Sequence, residues 1–546
     1  MRLVASSPRT TTSRKTSLRV AALAASAAMV VVGVQSGTAS AQPDAARESG
    51  ATALALTPGQ RVEAIKDAQA DSVGQAKSLG LGAQEKLVVR DVIKDADGTV
   101  HTRYERTYAG LPVLGGDLVV HEPAAGKTSV TKAVSARIAV DSTTAEVAAS
   151  AAKSTALKTA KAEKTAKAAA ENAPRKVIWA ADGAPVLAWE TVVEGFQPDG
   201  TPSELHVVTD AATGKELFKD EAIETGTGTG KYNGTVTIGT TKSGTTYNLT
   251  DSGRGNHKTY DLNQGTSGTG TLFTNSTDTW AGGRLTAGVD VHYGAATTWD
   301  FYKNVVGRNG IKNNGVASYS RAHYGNSYVN AFWSDSCFCM TYGDGSGNSN
   351  PLTSLDVAAH EMTHGVTAAT ANLNYSGESG GLNEATSDIF AAAVEFYANN
   401  PSAPGNYLVG EQININGNGT PLRYMDKPSK DGASKDYWSS TLGNVDVHYS
   451  SGPANHFFYL LSEGSGAKTV NGVSYNSPTY DGSTLAGIGR DKAIQIWYKA
   501  LTTYMTSTTK YAGARTATLS AAGALYGTTS TEYKAVAATW TAINVS

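Results

Sequence analysis

Two histidines four residues apart, with a glutamate beside the first, set the strongest condition on this chain: His360-Glu361-Met362-Thr363-His364. A helix turns about 100° per residue, so His360 and His364 share a face only if this segment is helical. Both imidazoles can then reach one metal ion at roughly 2.0–2.1 Å. Glu361 falls beside the metal, where a general base for an attacking water belongs. Leu355, Val357, Ala358, Met362 and Val366 give such a helix an apolar, core-facing side. With 10 histidines in the chain, chance alone produces this motif on the order of once per hundred such sequences. The competing reading, two core histidines flanking a surface glutamate, is set aside only by a third ligand.

The stretch Gly380 to Asp388 (GGLNEATSD) supplies a candidate. Glu384 lies on the next expected helix, and Asp388 follows four residues later on the same face. A carboxylate at Asp388 could accept the second N–H of a ligand histidine and fix its tautomer. Two acids among Leu382, Ile389, Phe390 and Val394 would be poor core residues without a metal or a partner. Thr370 stands where the HExxHxxGxxH class carries its third histidine, which disfavours that class.

The 546 residues exceed one ordinary domain. A net charge of -2 leaves no basic footprint, so nucleic acid is not expected as a partner. Two cysteines exclude a disulfide scaffold and a cysteine-rich metal site. Residues 1–41 read as an export signal: basic residues Arg2 to Arg19, an alanine-rich apolar run from Val20 to Val34, and Ala39-Ser40-Ala41. That run is shorter than the ~20 residues a membrane span needs, so a secreted, extracellular protein with no membrane association after signal removal is expected. Residues 42–140 read as a strand-rich unit, with turns at Asp97-Gly98 and Gly115-Gly116. Residues 141–175 are rich in Ala and Lys and read as a solvated helical linker. Residues 176–224 return to strands. From residue 225 onward Gly, Thr, Ser, Asn and Tyr dominate, and after about Leu355 helical patterns take over. The expected catalytic part is α+β in two lobes, a strand-rich one at 225–370 with the histidine helix and a helical one at 371–546. A cleft between the lobes is the expected active site.

Several further segments carry a family resemblance. NAFW at Asn330 to Trp333, MTYGDG at Met340 to Gly345, DVAAHEMTHGVT at Asp356 to Thr367 and NEATSDIF at Asn383 to Phe390 resemble the thermolysin family of metallopeptidases, as do DVHYSSG at Asp446 to Gly452 and GIGRDKA at Gly487 to Ala493. The resemblance implies a zinc metalloendopeptidase acting on protein and peptide substrates as a monomer. Two His and one Glu are that family's known ligand set, here His360, His364 and Glu384. Glu361 would be the base. Tyr375 and His448 would donate to the oxyanion, with Asp446 orienting His448. Asn330 and the Ala331 carbonyl would hold the substrate as an added strand, and Arg423 would bind a substrate carbonyl. Leu352, Val357 and Leu422 would wall an apolar pocket for a bulky residue after the scissile bond. Asp356, Glu395 and Glu411 would bind structural calcium, with Asn406 and Leu408 replacing the acids of a second ion. The pro-region would act as intramolecular inhibitor and chaperone, released by cleavage near Glu224-Thr225.

Cys337 and Cys339 are one residue apart, which leaves a bridge and two free thiols equally open. A zinc aminopeptidase also uses HExxH with a distant Glu, but the chain holds no GxMEN-like segment. A secreted zinc-stabilised binding module without catalysis is the non-enzymatic rival, and the presence of Glu361, Tyr375 and His448 counts against it.

Overall fold

The computed structural model describes residues 54, 56–198, 202–223 and 225–546. The expected signal and Glu224 of the expected processing site lie outside the described residues. The chain divides into two compact units, one ending at Ala222 and one running from Ile223 to Ser546.

The first unit opens with α1 (Pro58–Ser78), started by a reciprocal capping box between Thr57 and Gln60. The strands are β1 (Glu85–Lys94), β2 (Val100–Tyr108), β3 (Leu111–Leu114), β4 (Leu118–Glu122) and β5 (Ser129–Lys132). After α2 (Ala149–Ala162) come β6 (Ala166–Ala170), β7 (Arg175–Trp179), β8 (Val186–Phe196), β9 (Pro202–Asp210) and β10 (Glu216–Glu221). All ten strands form one sheet, ordered β10-β9-β8-β7-β3-β2-β4-β5, with β1 also on β2 and β6 also on β8. The Asp97-Gly98 turn closes the β1–β2 hairpin, with Gly98 at φ 87°. Gly115-Gly116 does not close a hairpin. β3 and β4 both pair with β2, opposite β1, so this dipeptide is a kink between two stretches lying end to end. There β3 also reaches β7 in parallel, Val113 opposite Ile178.

The expected solvated linker at 141–175 is corrected by this unit. Ala152, Ala156 and Ala160, spaced by four, form a buried face of α2. Ala156 and Ala160 pack on Val193, Leu205 and Val207. Small side chains let the helix lie close to the sheet, and only the opposite, lysine-bearing face is solvated. Ala166–Ala170 is a strand, so composition concealed both a packed helix and a sheet edge.

In the second unit β11 (Thr225–Thr229) and β12 (Thr235–Gly239) pair antiparallel. Six further strands form a sheet whose central members, His257–Asp261, Tyr319–Tyr324 and Cys339–Gly343, run parallel. Strand Ala331–Ser334 joins it antiparallel as an edge, paired only to Cys339–Gly343. Helices α3 (Leu285–Val306), α4 (Leu355–Ala368) and α5 (Gly377–Ala398) follow, then α6 (Val447–Ser450), α7 (Gly452–Glu463), α8 (Arg490–Thr503), α9 (Tyr511–Tyr526) and α10 (Thr531–Ala542). The strand-then-helix order agrees with the α+β expectation. One continuous apolar core extends from Ile238 to Val545 through both parts. α4 is its axis: Leu355 to Thr367 are all buried, so the helix has no solvent-facing side to match the amphipathic expectation.

Cys337 and Cys339 are bridged, with Cα atoms 5.2 Å apart. The intervening Phe338 adopts φ 53°, the left-handed turn that so short a loop demands.

Candidate active site

α4 and α5 bring three ligand atoms together. His360 Nε2 and His364 Nε2 are 3.1 Å apart, and each lies 3.5 Å from a Glu384 oxygen. The helical spacing of the histidines does this on α4. On α5, Gly380 and Gly381 permit close approach to α6, since a Cβ on either would meet Val447 or Ser450 at 2.3–2.6 Å.

The outer ring nitrogens are also occupied. His360 Nδ1 is 2.9 Å from Asp388 Oδ1, as the spacing of the two acids predicts, and His364 Nδ1 is 2.8 Å from Asn383 Oδ1. Both rings are thereby turned so that Nε2 faces its neighbour. Asn383 was not singled out in the sequence, although it immediately precedes Glu384. Asn455, which donates to Asp388 from α7 at 2.8 Å, was also missed. Only the fold brings it there.

The residues present fit a divalent cation. Glu384 and Asp388 are fully buried carboxylates. Glu384 Oε2 and Glu361 Oε1 are buried without any hydrogen-bond partner. Burial works against the Glu384 charge, but His448, His360 and His364 hold its carboxyl well below the usual range. Burial also opposes a charged His360, yet Asp388 and then Glu384 override it, raising that imidazole to about 10. Burial pushes the Glu361 carboxyl up to about 7.

Tyr375 and His448 join the same site. The Tyr375 hydroxyl donates to Glu384 and lies 3.2 Å from His448 Nε2. Asp446, the N-cap of α6, accepts the His448 backbone N–H at 3.1 Å and sits 2.7 Å from its Nδ1. Arg423 is buried, with Nε and Nη2 on the Asp388 carboxylate at 2.7 and 2.6 Å. It lines a cavity of about 460 Å³ with Leu422, Tyr424, Lys430, His448 and Tyr449. Of the three expected apolar walls only Leu422 lines that cavity. Leu352 and Val357 are 1% and 2% exposed and pack in the core. Asn330 and Ala331 stand at the start of the edge strand, and Asn330 Oδ1 is buried with no partner.

A second cluster gathers Asp356, Glu395 and Glu411, with one oxygen of each within 4.8 Å of the others. Asn406 Nδ2 donates to Glu411 at 2.8 Å. Glu395 Oε1 and Glu411 Oε2 have no partner. Burial, followed by the nearby Glu411 and Asp356 charges, drives the Glu395 carboxyl well up.

The family model described as the catalytic domain of thermolysin metallopeptidases matches residues 225–368, and that of their alpha-helical domain matches 371–545. A third, the fungalysin/thermolysin propeptide motif, matches 85–131. A thermolysin of Alicyclobacillus acidocaldarius is 36% identical over 501 residues, covering 86% of this chain and 87% of the relative. The chain belongs to the thermolysin family of metallopeptidases. A transglutaminase-activating metalloprotease of Streptomyces mobaraensis is 62% identical over 550 residues, covering 98% of this chain and 72% of that protein. A bacillolysin of Bacillus cereus is 34% identical over 508 residues, covering 85% of this chain and 86% of the relative. This thermolysin-family chain is therefore a metalloprotease, a hydrolase made with a propeptide. Among the described residues no helix is long and apolar enough to cross a membrane.

Proposed function

We propose that the chain is the precursor of a secreted zinc endopeptidase that cuts internal peptide bonds on the amino side of bulky apolar residues. The observation carrying this reading is the convergence of His360, His364 and Glu384 within 4.8 Å, with Glu361 one position round α4. Bound by those three side chains, zinc supplies a Lewis acid for the scissile carbonyl and makes nearby water more acidic.

The protein's own groups do the rest. Glu361 takes the proton of the attacking water and passes it to the leaving amine. The Tyr375 hydroxyl and His448 donate to the oxygen that becomes negative, and Asp446 keeps His448 oriented for that purpose. Asn330 and the Ala331 carbonyl pair with an extended substrate backbone. Arg423, held by Asp388, directs its remaining N–H groups to a substrate carbonyl. Leu422 faces the side chain after the scissile bond, with Leu352 and Val357 as packing behind it. A methylene-scale difference in that side chain is worth about 1–3 kcal/mol of discrimination.

Asp356, Glu395 and Glu411 hold one calcium ion, which suits all-oxygen ligands, and Asn406 takes the place of a further charge. The pro-region, ending near Glu224-Thr225, inhibits the enzyme and assists its folding, and the mature enzyme acts as a monomer. Activation of a transglutaminase by cleavage is a further proposed role, on the strength of the name carried by the Streptomyces mobaraensis relative.

Glu361→Gln tests the reading. It should lower kcat by about 10²–10⁴-fold while zinc content stays unchanged. Unchanged turnover sinks the assigned base. An N-blocked peptide cut internally separates this reading from an aminopeptidase, which would spare it.

A further inference from the structure

The histidines of the active site carry a signature in their ring nitrogens. His360 and His364 turn Nε2 towards each other, 3.1 Å apart. The Nδ1 of each is taken by a side-chain oxygen of Asp388 or Asn383. When both rings are neutral and both outer nitrogens donate, the two inner nitrogens present lone pairs, an arrangement that suits a cation between them.

The same arrangement occurs in the first unit, far along the sequence from the active site. His101 on β2 and His121 on β4 are register partners across the sheet, where side chains of opposed residues meet. Their Nδ1 atoms face each other at 2.8 Å. His101 Nε2 lies 3.0 Å from Asp95 Oδ2. An ionised carboxylate only accepts, so that nitrogen carries the hydrogen, and in the neutral ring His101 Nδ1 carries a lone pair. His121 Nε2 lies 2.9 Å from the Thr131 hydroxyl on β5, which can accept. Asp95 behind a histidine is the carboxylate–histidine pairing that orients metal ligands. The His101 side chain is 27% exposed, so an ion can reach the gap from solvent.

We propose that His101 and His121 form a second transition-metal site, taking a divalent d-block cation such as zinc through two Nδ1 atoms, with Asp95 and Thr131 orienting the rings and solvent completing the shell. Two nitrogens on a tetrahedral zinc ion sit about 3.3 Å apart, so the rings need open only slightly. With two protein ligands this site is weaker than the three-ligand cluster. It lies wholly in the first unit, so an enzyme freed of that unit lacks it.

The test counts metal on the intact chain. A precursor carrying Glu361→Gln, which blocks self-processing but leaves all ligands in place, is dialysed to equilibrium against micromolar zinc with excess calcium. Two zinc equivalents per chain are expected, falling to one when His121→Gln is added. One equivalent in the parent, or two that survive His121→Gln, overturns the proposal and leaves the pair hydrogen-bonded only, with Thr131 donating to His121. Failure of the active-site reading looks different: the tight equivalent, not the weak one, would be missing. Should His121→Gln fail to fold, the precursor with both histidines answers by mass spectrometry. Zinc should protect His101 and His121 from diethylpyrocarbonate, and equal modification with and without zinc refutes the site.

Discussion

A single carboxylate, Asp388, is shared by His360, Arg423 and Asn455. It both orients a metal ligand and neutralises a buried guanidinium. Asp388→Asn should weaken zinc binding by about 10–100-fold and leave Arg423 poorly compensated, a defect that costs about 3–5 kcal/mol when a buried pair is broken. Chelator competition reads the first effect and thermal denaturation the second. A different pair governs the first unit. Burial alone would lower the His206 pKa, but Glu190 and then Glu204 override it and raise it to about 9. A raised folded value means that this stabilisation is complete below about pH 6.5 and is lost as pH rises through 9. The melting temperature of the precursor should exceed that of His206→Gln at pH 6.5, and the gap should close by about pH 9.5. It reflects at most about 3 kcal/mol. At this scale the sequence was most informative where chemistry forced a choice. Glu384 and Asp388 were legible because two acids on an apolar helix need partners. Asn383 and Asn455 were not, because an asparagine is acceptable almost anywhere. Leu352 and Val357 were open to two readings, because a pocket wall and a core residue have the same apolar character.

Among the elements, α4 is the most tightly fitted. A Cβ on Gly365 would meet the Trp333 ring at 2.8–3.0 Å, and that indole is pinned by its N–H on Asp335 at 2.7 Å. Helix propensity favours alanine over glycine by about 1 kcal/mol, but overpacking a closed core costs about 1–3 kcal/mol. The rigid ring makes the second effect win. Gly365→Ala should lower the melting temperature of the catalytic unit by a few degrees, and a rise would show that Trp333 can move. The β1–β2 hairpin, two strand-like runs around Asp97-Gly98, could be read directly from the sequence. α2 could not, because its buried face is built from alanine, and a run of Ala and Lys looks equally like a solvated helix.

Across the whole chain, three carboxylates from distant segments, Asp356, Glu395 and Glu411, are drawn together without a basic partner. Such a cluster repels itself when ionised, so on the proposed reading calcium favours the folded state by mass action, about 2.7 kcal/mol at a hundredfold excess over Kd. Adding a calcium chelator at constant free zinc should lower the melting temperature, and Glu395→Gln should reduce that response. Identical melting with and without chelator would remove calcium from the account. The strand-then-helix order was visible in composition. The joining of both parts of the first unit through β3 and β7 was not, since a parallel contact between residues 113 and 178 has no local signal. One last consequence concerns what this enzyme can digest. Among the described residues strand Ala331–Ser334 has a sheet neighbour on one side only, and on the proposed reading its other flank accepts a guest only as a straight, unpaired ribbon. On the proposed reading, compact helices and interior strands are poor prey whatever their residues. Susceptibility to this protease then measures local looseness in its victims at least as much as the side chains beside the cut.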